Sequence, residues 1–350
     1  MRRVVVGMSG GVDSSVAALL LQRQGYEVIG VTLHLWDYVK DGHAGRCCAP
    51  EDQYDAARVA ERLGIAHYTF DRRALFQAKV VDPFVDTYRA GRTPSPCVRC
   101  NESVKLGPMF EIARRLGAER VATGHYARVA VEGGEVVLRA AVDGHKDQSY
   151  FLWVAPEEAL RALELPLGGL TKPEARALAA AAGFVNAAKP DSSDLCFVEG
   201  GRHASFVAAR SPEGLAAGPI ETVTGEVIGH HDGIHQFTPG QRKGTGAGGP
   251  ARYVLRVIAS RNAVVVGTAD EATQSYCEVG ELRWLTAQPV DAVTARIRYR
   301  HTGVKARVEV LEGGRARLHF SEPQRGVAPG QAAAFYVGDR VVGGGFIDQA

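Results

Sequence analysis

Long hydrophobic runs are missing from this chain of 350 residues. No stretch approaches the roughly 18 consecutive apolar residues of a membrane-spanning helix. A glycine-rich turn at residues 7–11 interrupts the short apolar stretch near the N-terminus, where a secretion signal would need its apolar core. We therefore expect a cytoplasmic protein with no membrane partner.

The sequence also has almost no charge imbalance, no internal repeat and no low-complexity segment. Its formal net charge is +2, so a nucleic-acid partner must be argued from local charge. The length and the 45% of hydrophobic residues predict two or three globular domains. The chain has 6 cysteines. In a cytoplasmic protein these are more often catalytic or metal-binding than part of a disulfide framework.

The phosphate-binding lysine of a Walker A loop is absent from the first glycine-rich turn. Residues 7–15 read Gly-Met-Ser-Gly-Gly-Val-Asp-Ser-Ser, without the lysine or the spacing of that motif. This excludes the P-loop kinase and GTPase classes. Two adjacent glycines let the backbone curl around an anion, and the first N–H groups of the helix that follows point toward it.

This pattern favours the pyrophosphate loop, or PP-loop, of enzymes that split ATP between its α and β phosphates to make an adenylate. A plain glycine turn between a strand and a helix is the alternative. The hydroxyls of Ser9, Ser14 and Ser15 are further donors, and Leu33 and Gly124 lie at the ends of two other strands, where they would border the adenine or ribose. The residues predicted to bind the nucleotide are Gly7, Met8, Ser9, Gly10, Gly11, Val12, Asp13, Ser14, Leu33 and Gly124.

Strand and helix patterns alternate from residue 3 to about residue 130. This alternation predicts an α/β fold with a doubly wound parallel sheet, whose ligands bind beyond the carboxyl ends of the strands. Thr171 and Glu174 form a capping box at a later helix, after which the alternation stops. Tight turns then predict hairpins over residues 221–228, 251–267 and 306–320. We expect a PP-loop catalytic domain at 1–204, a small β-rich connector domain at 205–275 and a C-terminal β-barrel at 276–350.

Three of the cysteines lie in polar segments. Cys97 and Cys100 lie in a proline-rigid loop just before a predicted helix, with Arg99 between them and Lys105 a turn beyond. Cations and a helix N-terminus both favour the thiolate. Cys196 supplies a third thiol in a turn-rich segment, and the second close pair that a zinc ribbon needs is missing. Inert thiols are the alternative for these three and the preferred interpretation of the others, Cys47, Cys48 and Cys277.

Six motifs occur in the order found in one enzyme family. They are residues 7–15, 90–94, 122–126, 146–152, 195–197 and 240–244. In these motifs, which extend through essentially the whole chain, the sequence resembles the tRNA-specific 2-thiouridylase family. The resemblance implies a PP-loop ATP pyrophosphatase domain, similar to the adenine nucleotide alpha hydrolases, and a C-terminal barrel that binds tRNA. It also implies ATP-dependent thiolation at C2 of the wobble uridine (U34), through adenylation of the C2 oxygen, with AMP and pyrophosphate as products.

The resemblance further implies roles for individual residues. Cys100 would be the nucleophile, and Cys196 would carry the incoming sulfur as a persulfide. An upstream protein donor, either a persulfide relay or a cysteine desulfurase, would supply that sulfur. The cycle would leave a disulfide bond between Cys100 and Cys196, which must be reduced before the next turnover. Asp13 is expected near the Mg²⁺ that neutralises the departing pyrophosphate.

The sequence departs from one common form of the family at Cys97, where well-known members have aspartate. A cysteine there makes Cys97, Cys100 and Cys196 a candidate three-thiolate site. Three thiolates around a 4Fe–4S cluster would leave one iron open to hold a sulfide, which is a different route to the same product. An incidental disulfide between Cys97 and Cys100 is a further alternative.

RNA contacts are predicted partly from the spacing of basic residues. Arg296, Arg298 and Arg300 alternate along a strand-like run, so their side chains would share one face, and Lys305 and Arg307 extend the basic stretch. A solvated barrel face would show a similar pattern, so both interpretations stay open.

The resemblance adds tRNA contacts near the reacting base. Because this base must leave the anticodon stack, we expect a pocket lined by His125, Gln148 and Tyr150. A structural histidine after a strand is the alternative for His125. The tRNA-binding residues implied by the resemblance are His125, Lys146, Asp147, Gln148, Tyr299, Arg300 and Gln331.

Two other functions compete with this interpretation. One is a different adenylating PP-loop enzyme, such as a lysidine or amide-forming synthetase, which needs neither Cys100 nor Cys196. The other is a non-catalytic redox sensor that binds nucleotide and RNA and uses Cys97 and Cys100. The sensor would bind tRNA without releasing AMP.

Overall fold

The structure is a computed structural model that describes residues 2–36, 50–191, 195–198, 202–211, 215–245 and 251–349. Cys47 and Cys48, interpreted as inert, lie outside the described residues. The chain divides into two compact units. Unit 1 is Met1–Val80, Cys97–Phe197 and Asp339–Val341, and unit 2 is Val81–Pro96, Val198–Gly338 and Val342–Ala350. The predicted domain boundaries after residues 204 and 275 stay predictions.

The elements of unit 1 alternate as the sequence pattern predicts. Its strands are β1 Arg3–Gly7, β2 Glu27–His34, β3 Ala66–Asp71, β4 Arg120–Ala122, β5 Ala127–Glu132, β6 Glu135–Ala140 and β7 Leu163–Glu164. The α-helices among the described residues are α1 Val12–Arg23, α2 Pro50–Leu63, α3 Arg73–Phe76, α4 Asp82–Arg89, α5 Pro96–Cys100, α6 Gly107–Arg115, α7 Glu157–Arg161, α8 Lys172–Ala181 and α9 His203–Arg210. The helices α4 and α9 belong to unit 2. Two short π-helical segments are Gln77–Val81 and Asn101–Leu106, and 3-10 turns are Ser149–Phe151, Ile234–Gln236 and Ala259–Arg261.

A five-stranded parallel sheet of order β3-β2-β1-β4-β7 forms the centre of unit 1. The central strand β1 pairs in parallel with β2 on one side, where Val4 lies opposite Val28, and with β4 on the other, where Val4 lies opposite Arg120. The β-branched run Val4 to Val6 is fully buried, because helices cover both faces of such a sheet. The doubly wound α/β fold is thereby confirmed.

Helices α1, α2 and α8 pack together in the core of unit 1 through small and branched residues, among them Ala17, Val59 and Ala175. The start of α8 is the predicted capping box. The backbone N–H of Thr171 donates to Glu174 Oε2 at 2.7 Å. An antiparallel hairpin of β5 and β6 completes the unit, and Arg340 pairs with Arg139 of β6.

Unit 2 is built mainly of antiparallel strands. They are β8 Gly218–Thr222, β9 Val227–His231, β10 Tyr253–Ile258, β11 Ala263–Gly267, β12 Thr273–Trp284, β13 Ala292–Arg296, β14 Val304–Leu311, β15 Arg315–Arg325, β16 Ala332–Val337 and β17 Arg340–Gln349. The first two residues of β17, Arg340 and Val341, belong to unit 1. The first four form a sheet of order β10-β11-β8-β9. The three predicted hairpins are confirmed as β8–β9, β10–β11 and β14–β15.

The last six strands close into the predicted β-barrel. Their order is β12-β15-β14-β13-β16-β17, and β17 pairs back onto β12. The interior is filled by apolar side chains such as Val279, Leu318 and Phe335. Cys277 is fully buried among them, and this burial, with the charge of Glu278, raises its thiol pKa to about 12. No helix among the described residues is long and apolar enough to cross a membrane.

Candidate active site

The turn between β1 and α1 presents backbone N–H groups. Gly10 has a φ of +76°, which glycine adopts at little cost. A Cβ atom at Gly10 would lie 2.1 Å from the carbonyl oxygen of Asp52, so only glycine fits. Gly11 is the N-cap of α1, and because glycine has no side chain, no side chain caps the helix. The first N–H groups of α1 therefore lack intrahelical partners and are available to an anion.

Most side chains of this turn hold it together. Met8 and Val12 are buried, so only their backbone atoms can meet a nucleotide. The Ser9 N–H donates to Ser14 Oγ at 3.1 Å, and Ser14 Oγ donates to the Gly11 carbonyl at 3.1 Å. The predicted role of serine hydroxyls as anion donors therefore fits the exposed Ser9 better than the buried Ser14.

The two other predicted nucleotide positions flank the turn at the ends of neighbouring strands. Gly124 follows β4, and a Cβ atom there would lie 2.6 Å from the backbone nitrogen of Ser14. This close approach explains the glycine. Leu33 is partly exposed near the end of β2. Both lie at the carboxyl ends of the strands that flank β1, and their contacts with a nucleotide stay predictions.

A lysine that sequence reasoning missed holds Asp13. Lys172 Nζ lies 2.7 Å from Asp13 Oδ1 and 2.8 Å from Oδ2, and the Tyr126 hydroxyl donates to Oδ1 at 3.0 Å. Lys172 is 8% exposed. Burial and the negative charge of Asp13 raise the pKa of Tyr126, so its hydroxyl keeps its proton. The capping box located the start of α8, but it gave no sign that the first residue of the helix reaches the phosphate loop.

The same cation also contacts a second carboxylate. Lys172 Nζ lies 2.8 Å from Asp191 Oδ1, and Arg176 and Lys146 also pair with Asp191. Burial disfavours the charged form of Asp191, but hydrogen bonds from Lys146 and Lys172 outweigh it and lower its pKa to about 2. Lys146, predicted to contact tRNA, is thus paired within unit 1 in this structure.

The three thiols predicted to react all belong to unit 1. Cys97 and Cys100 lie inside α5, not in a loop before a helix as predicted. Proline fits the first position of this helix because its missing N–H would be unpaired there in any case. Cys100 is buried, Cys97 is exposed and Cys196 is partly exposed.

The expectation that neighbouring cations favour thiolates is wrong for the resting protein. Burial raises the pKa of Cys100 to about 11 and also raises that of Cys97, whereas the ammonium group of Lys105 opposes both shifts. Although solvent reaches Cys97, surrounding protein atoms desolvate its thiol. Loss of solvation outweighs one nearby positive charge, so both thiols are protonated near neutral pH.

The charge of Lys105 acts on a third group. Burial and Lys105 together lower the pKa of His125 to about 3, so this imidazole is neutral. Its Nδ1 atom lies 2.8 Å from Thr123 Oγ1. The structure therefore gathers Cys97, Cys100 and His125 around one ammonium group.

A metal ligand set is not assembled by these side chains. Within the part of the chain that the structure describes, no three His, Cys, Asp or Glu residues lie close enough to hold a metal ion. Cys97, Cys100 and Cys196 all belong to that part. The 4Fe–4S cluster at these three cysteines stays a prediction.

The other predicted contacts of the target base are mostly engaged with backbone. The Asp147 carboxylate is buried and accepts hydrogen bonds from the N–H groups of Ala141 and Ser149, at 3.0 and 3.1 Å. Gln148 Oε1 accepts from the Tyr126 N–H at 3.0 Å. Tyr150 is 2% exposed, so it lines no open pocket in this structure.

The basic residues of unit 2 do not share one strand face. β13 ends at Arg296, and the turn that follows contains Arg298, Tyr299 and Arg300. The predicted alternation along a strand is therefore wrong beyond Arg296. The Arg296 guanidinium lies 4.3 Å from the ring centre of Tyr336, and Arg298 donates to the Arg325 carbonyl at 3.0 Å.

Two other basic residues of unit 2 do share a face. Lys305 and Arg307 are exposed together on β14. The remaining predicted tRNA residue, Gln331, donates through Nε2 to the Pro94 carbonyl at 2.7 Å. Its contact with tRNA stays a prediction, as do those of Tyr299 and Arg300.

Comparison with known proteins assigns the whole chain. Models described as the tRNA methyl transferase HUP domain, the tRNA methyl transferase PRC-barrel domain and the aminomethyltransferase beta-barrel domain match residues 2–200, 204–268 and 274–347. Proteins named tRNA-specific 2-thiouridylase MnmA are similar over nearly their full length. The one from Sorangium cellulosum is 51% identical over 99% of this chain and 92% of its own. Those from Geobacter metallireducens and Nostoc punctiforme are 45% and 46% identical over 100% of this chain and 97% and 99% of theirs. With this identity along its whole length, the chain belongs to the tRNA-specific 2-thiouridylase (MnmA) family.

Proposed function

We propose that this protein uses ATP to replace the C2 oxygen of the wobble uridine of tRNA with sulfur. The observation that carries the proposal is a phosphate loop with an uncapped helix start, in the same unit as the buried Cys100. The charge of Lys105 acts on Cys100 and on the neutral His125. The full-length relatives named as tRNA-specific 2-thiouridylases support this reaction and this substrate.

The first step would be adenylation. The C2 oxygen of uridine is a poor leaving group, and its attack on the α phosphate of ATP converts it into the leaving group AMP while pyrophosphate departs. The N–H groups at the start of α1 would hold the phosphates, and Lys172 would supply a cation beside them. Asp13 would be the residue that holds Mg²⁺, because carboxylate oxygens suit this ion. Bound there, Mg²⁺ would neutralise phosphate charge.

The second step would transfer sulfur. Cys196 would carry a persulfide, and the Cys100 thiolate would attack its Sγ atom. The Sγ–Sγ bond forms as the terminal sulfur leaves as hydrosulfide, which attacks C2 and expels AMP. The Cys100 sulfur is oxidised to the disulfide level while the terminal sulfur is reduced to hydrosulfide, and the Cys196 sulfur keeps its level, so the electrons balance. An external dithiol must then reduce the disulfide.

The resting state of Cys100 bears on this step. Because burial holds its pKa at about 11, the thiol must lose its proton when substrate is bound. Lys105 opposes the desolvation and would stabilise the thiolate as it forms. His125 is neutral near physiological pH, so it would contact the uracil without adding charge.

We further propose that unit 2 contacts the tRNA backbone. The exposed Lys305 and Arg307 share one face of β14, as phosphate contacts require. Arg300 is exposed in the turn after β13. The sulfur would come from an upstream persulfide-carrying protein, and the reaction would take place in the cytoplasm.

The test is direct detection of product. Purified protein, prepared both in air and anaerobically, is mixed with unmodified tRNA, ATP, Mg²⁺ and a persulfide donor, and the nucleosides are identified by mass spectrometry. We expect 2-thiouridine from the native protein and from Cys97→Ser, and none from Cys100→Ser or Cys196→Ser. Activity confined to the anaerobic, iron-containing preparation, and lost in Cys97→Ser, would favour a cluster route.

The same experiment separates the rival functions. An amide-forming or lysidine synthetase would release AMP without thiolated product and would tolerate the loss of Cys100 and Cys196. A redox sensor would bind tRNA and release no AMP. Either result would contradict the proposal.

A further inference from the structure

Behind the phosphate loop, an asparagine side chain holds the carbonyl oxygen of Gly10. Asn186 is 2% exposed, and its Nδ2 donates to Gly10 O and to Ser15 Oγ, both at 2.9 Å. Ser15 Oγ in turn donates to Gly11 O at 3.0 Å. A single amide group thus bonds to both the loop and the first turn of α1.

Only the Nδ2 end of the Asn186 amide makes hydrogen bonds among the described residues. Asn186 Oδ1 is buried and has no hydrogen-bond partner among the described residues. Reversing the amide would set this oxygen against Gly10 O, and two acceptors share no proton. An unsatisfied buried oxygen is costly, so the contact of Nδ2 with Gly10 must compensate for it.

We propose that Asn186 is a positioning residue that fixes the orientation of the peptide group between Gly10 and Gly11. A trans peptide group is planar, and its C=O and N–H point in opposite directions. While Gly10 O faces Asn186, the Gly11 N–H faces the open side of the loop. Both residues are glycines, so the reversed peptide is sterically allowed. Reversal would present a carbonyl oxygen, instead of a donor, to the phosphates.

A salt-bridged lysine supports the same wall of the loop. Lys189 Nζ lies 3.4 Å from Gly10 O and pairs with Asp52 and with Asp55. The backbone of Asp52 leaves no room for a Cβ atom at Gly10. Arg176 donates to the carbonyl of Lys189 at 2.9 Å and so fixes the segment that follows Asn186. The loop is therefore held from behind by two segments distant in sequence.

This inference rests on the proposed function, because it requires ATP at the loop. Its test compares Asn186→Leu with Gln22→Met in the full-length protein. Gln22 is a matched control, because its Nε2 donates to the carbonyl of Leu63 at 2.7 Å, far along α1 from the loop. ATP binding with Mg²⁺ is measured by calorimetry, tRNA binding by filter retention, and melting temperature by calorimetric scan. The smaller variant Asn186→Ala replaces the leucine variant if the latter fails to fold.

We expect loss of this buried hydrogen bond to raise the ATP dissociation constant about tenfold. In thiolation assays the KM for ATP should rise by a similar factor with little change in kcat, because the interaction is made with bound substrate as well as in the transition state. The tRNA dissociation constant should not change, and Gln22→Met should bind ATP like the native protein even if its melting temperature falls as far. Native ATP affinity in the Asn186 variant, or equal weakening in both variants, would overturn the inference. If the native protein binds no ATP, the proposed function fails as well.

Discussion

The phosphate loop and the cysteine pair of unit 1 are prepared for chemistry to different degrees. The loop is fixed by contacts within the fold, namely by a serine hydroxyl, by Asn186 and by the backbone of Asp52. Cys100 is instead protonated and buried. Under the proposed function, this difference predicts an order of events, in which the loop binds the nucleotide first and sulfur chemistry begins only after the environment of Cys100 changes. A thiol that is unreactive at rest is protected from oxidation.

The rigidity of the loop can be broken most severely at Gly124. In Gly124→Ala, the new Cβ would lie 2.6 Å from the backbone nitrogen of Ser14, so the start of α1 must move. We expect ATP affinity to fall about a hundredfold, as overpacking costs of about 1–3 kcal/mol allow. Gly169→Ala is the control, because its Cβ would meet no atom within 4 Å. Equal ATP affinity of the two variants by calorimetry would show that the loop is less rigid than described.

A substitution at Lys172 changes the charge beside the loop and strains the backbone less than Gly124→Ala does. Lys172→Met keeps most of the side-chain volume and removes the cation that pairs with Asp13. We expect ATP to bind about tenfold more weakly, because a charge-assisted contact contributes about 1.5–3 kcal/mol. Lys79→Met, at an exposed position, should leave ATP affinity unchanged. Unaltered binding in Lys172→Met would remove this lysine from the phosphate site.

The protonated state of the thiols can be tested by alkylation. With its pKa raised to about 11, Cys100 should react with iodoacetamide ever faster as pH rises from 7 to 10, with no plateau near the ordinary thiol pKa of roughly 8.5. Lys105→Met should slow the reaction a few-fold at each pH, since the ammonium opposes the shift. Peptide mass spectrometry identifies the labelled cysteine. If the alkylation rate of Cys100 reached a plateau below pH 9, the thiol would have an ordinary pKa and would not be protonated as described.

The smallest expected effect is on stability at low pH, and it comes from the ion pairs around Asp191. The folded pKa of Asp191, about 2, lies below its unfolded value, so its stabilising contribution is complete above roughly pH 4 and is lost as pH falls toward 2. Asp191→Asn should therefore lower the free energy of unfolding by about 1 kcal/mol at pH 6, allowing for partial exposure, and by less at pH 3. Urea unfolding at both pH values measures this. Asp270→Asn, at an exposed position, is the control. If the loss of unfolding free energy in Asp191→Asn were larger at pH 3 than at pH 6, the predicted pH dependence would be contradicted.

Local sequence patterns predicted most of the secondary structure and the domain types. The contacts that they did not predict join residues that are far apart in sequence. The PP-loop, the parallel sheet, the capping box at Thr171 and the closing barrel follow from turns and periodicity in short stretches. The contact between Lys172 and Asp13 joins residues 159 apart in sequence, and no local pattern encodes it. The same is true of Asn186, whose partners lie in the phosphate loop and in the first turn of α1.

The errors in the site have the same origin. A sequence shows that Lys105 lies near Cys100, but the pKa of the thiol depends on burial by elements distant along the chain. Likewise, alternating arginines predict one strand face, whereas β13 ends at Arg296 and the chain turns. Burial and the exact ends of strands are set by tertiary packing.

In the proposed reaction, the C2 oxygen of the wobble uridine leaves as part of AMP. The most direct measurement uses tRNA in which this oxygen is oxygen-18, with the native protein, ATP, Mg²⁺ and a persulfide donor, and follows the isotope by mass spectrometry. We predict one labelled oxygen in the phosphate of each AMP formed with 2-thiouridine. Thiolated tRNA accompanied by unlabelled AMP would contradict adenylation of the uridine and with it the proposed reaction.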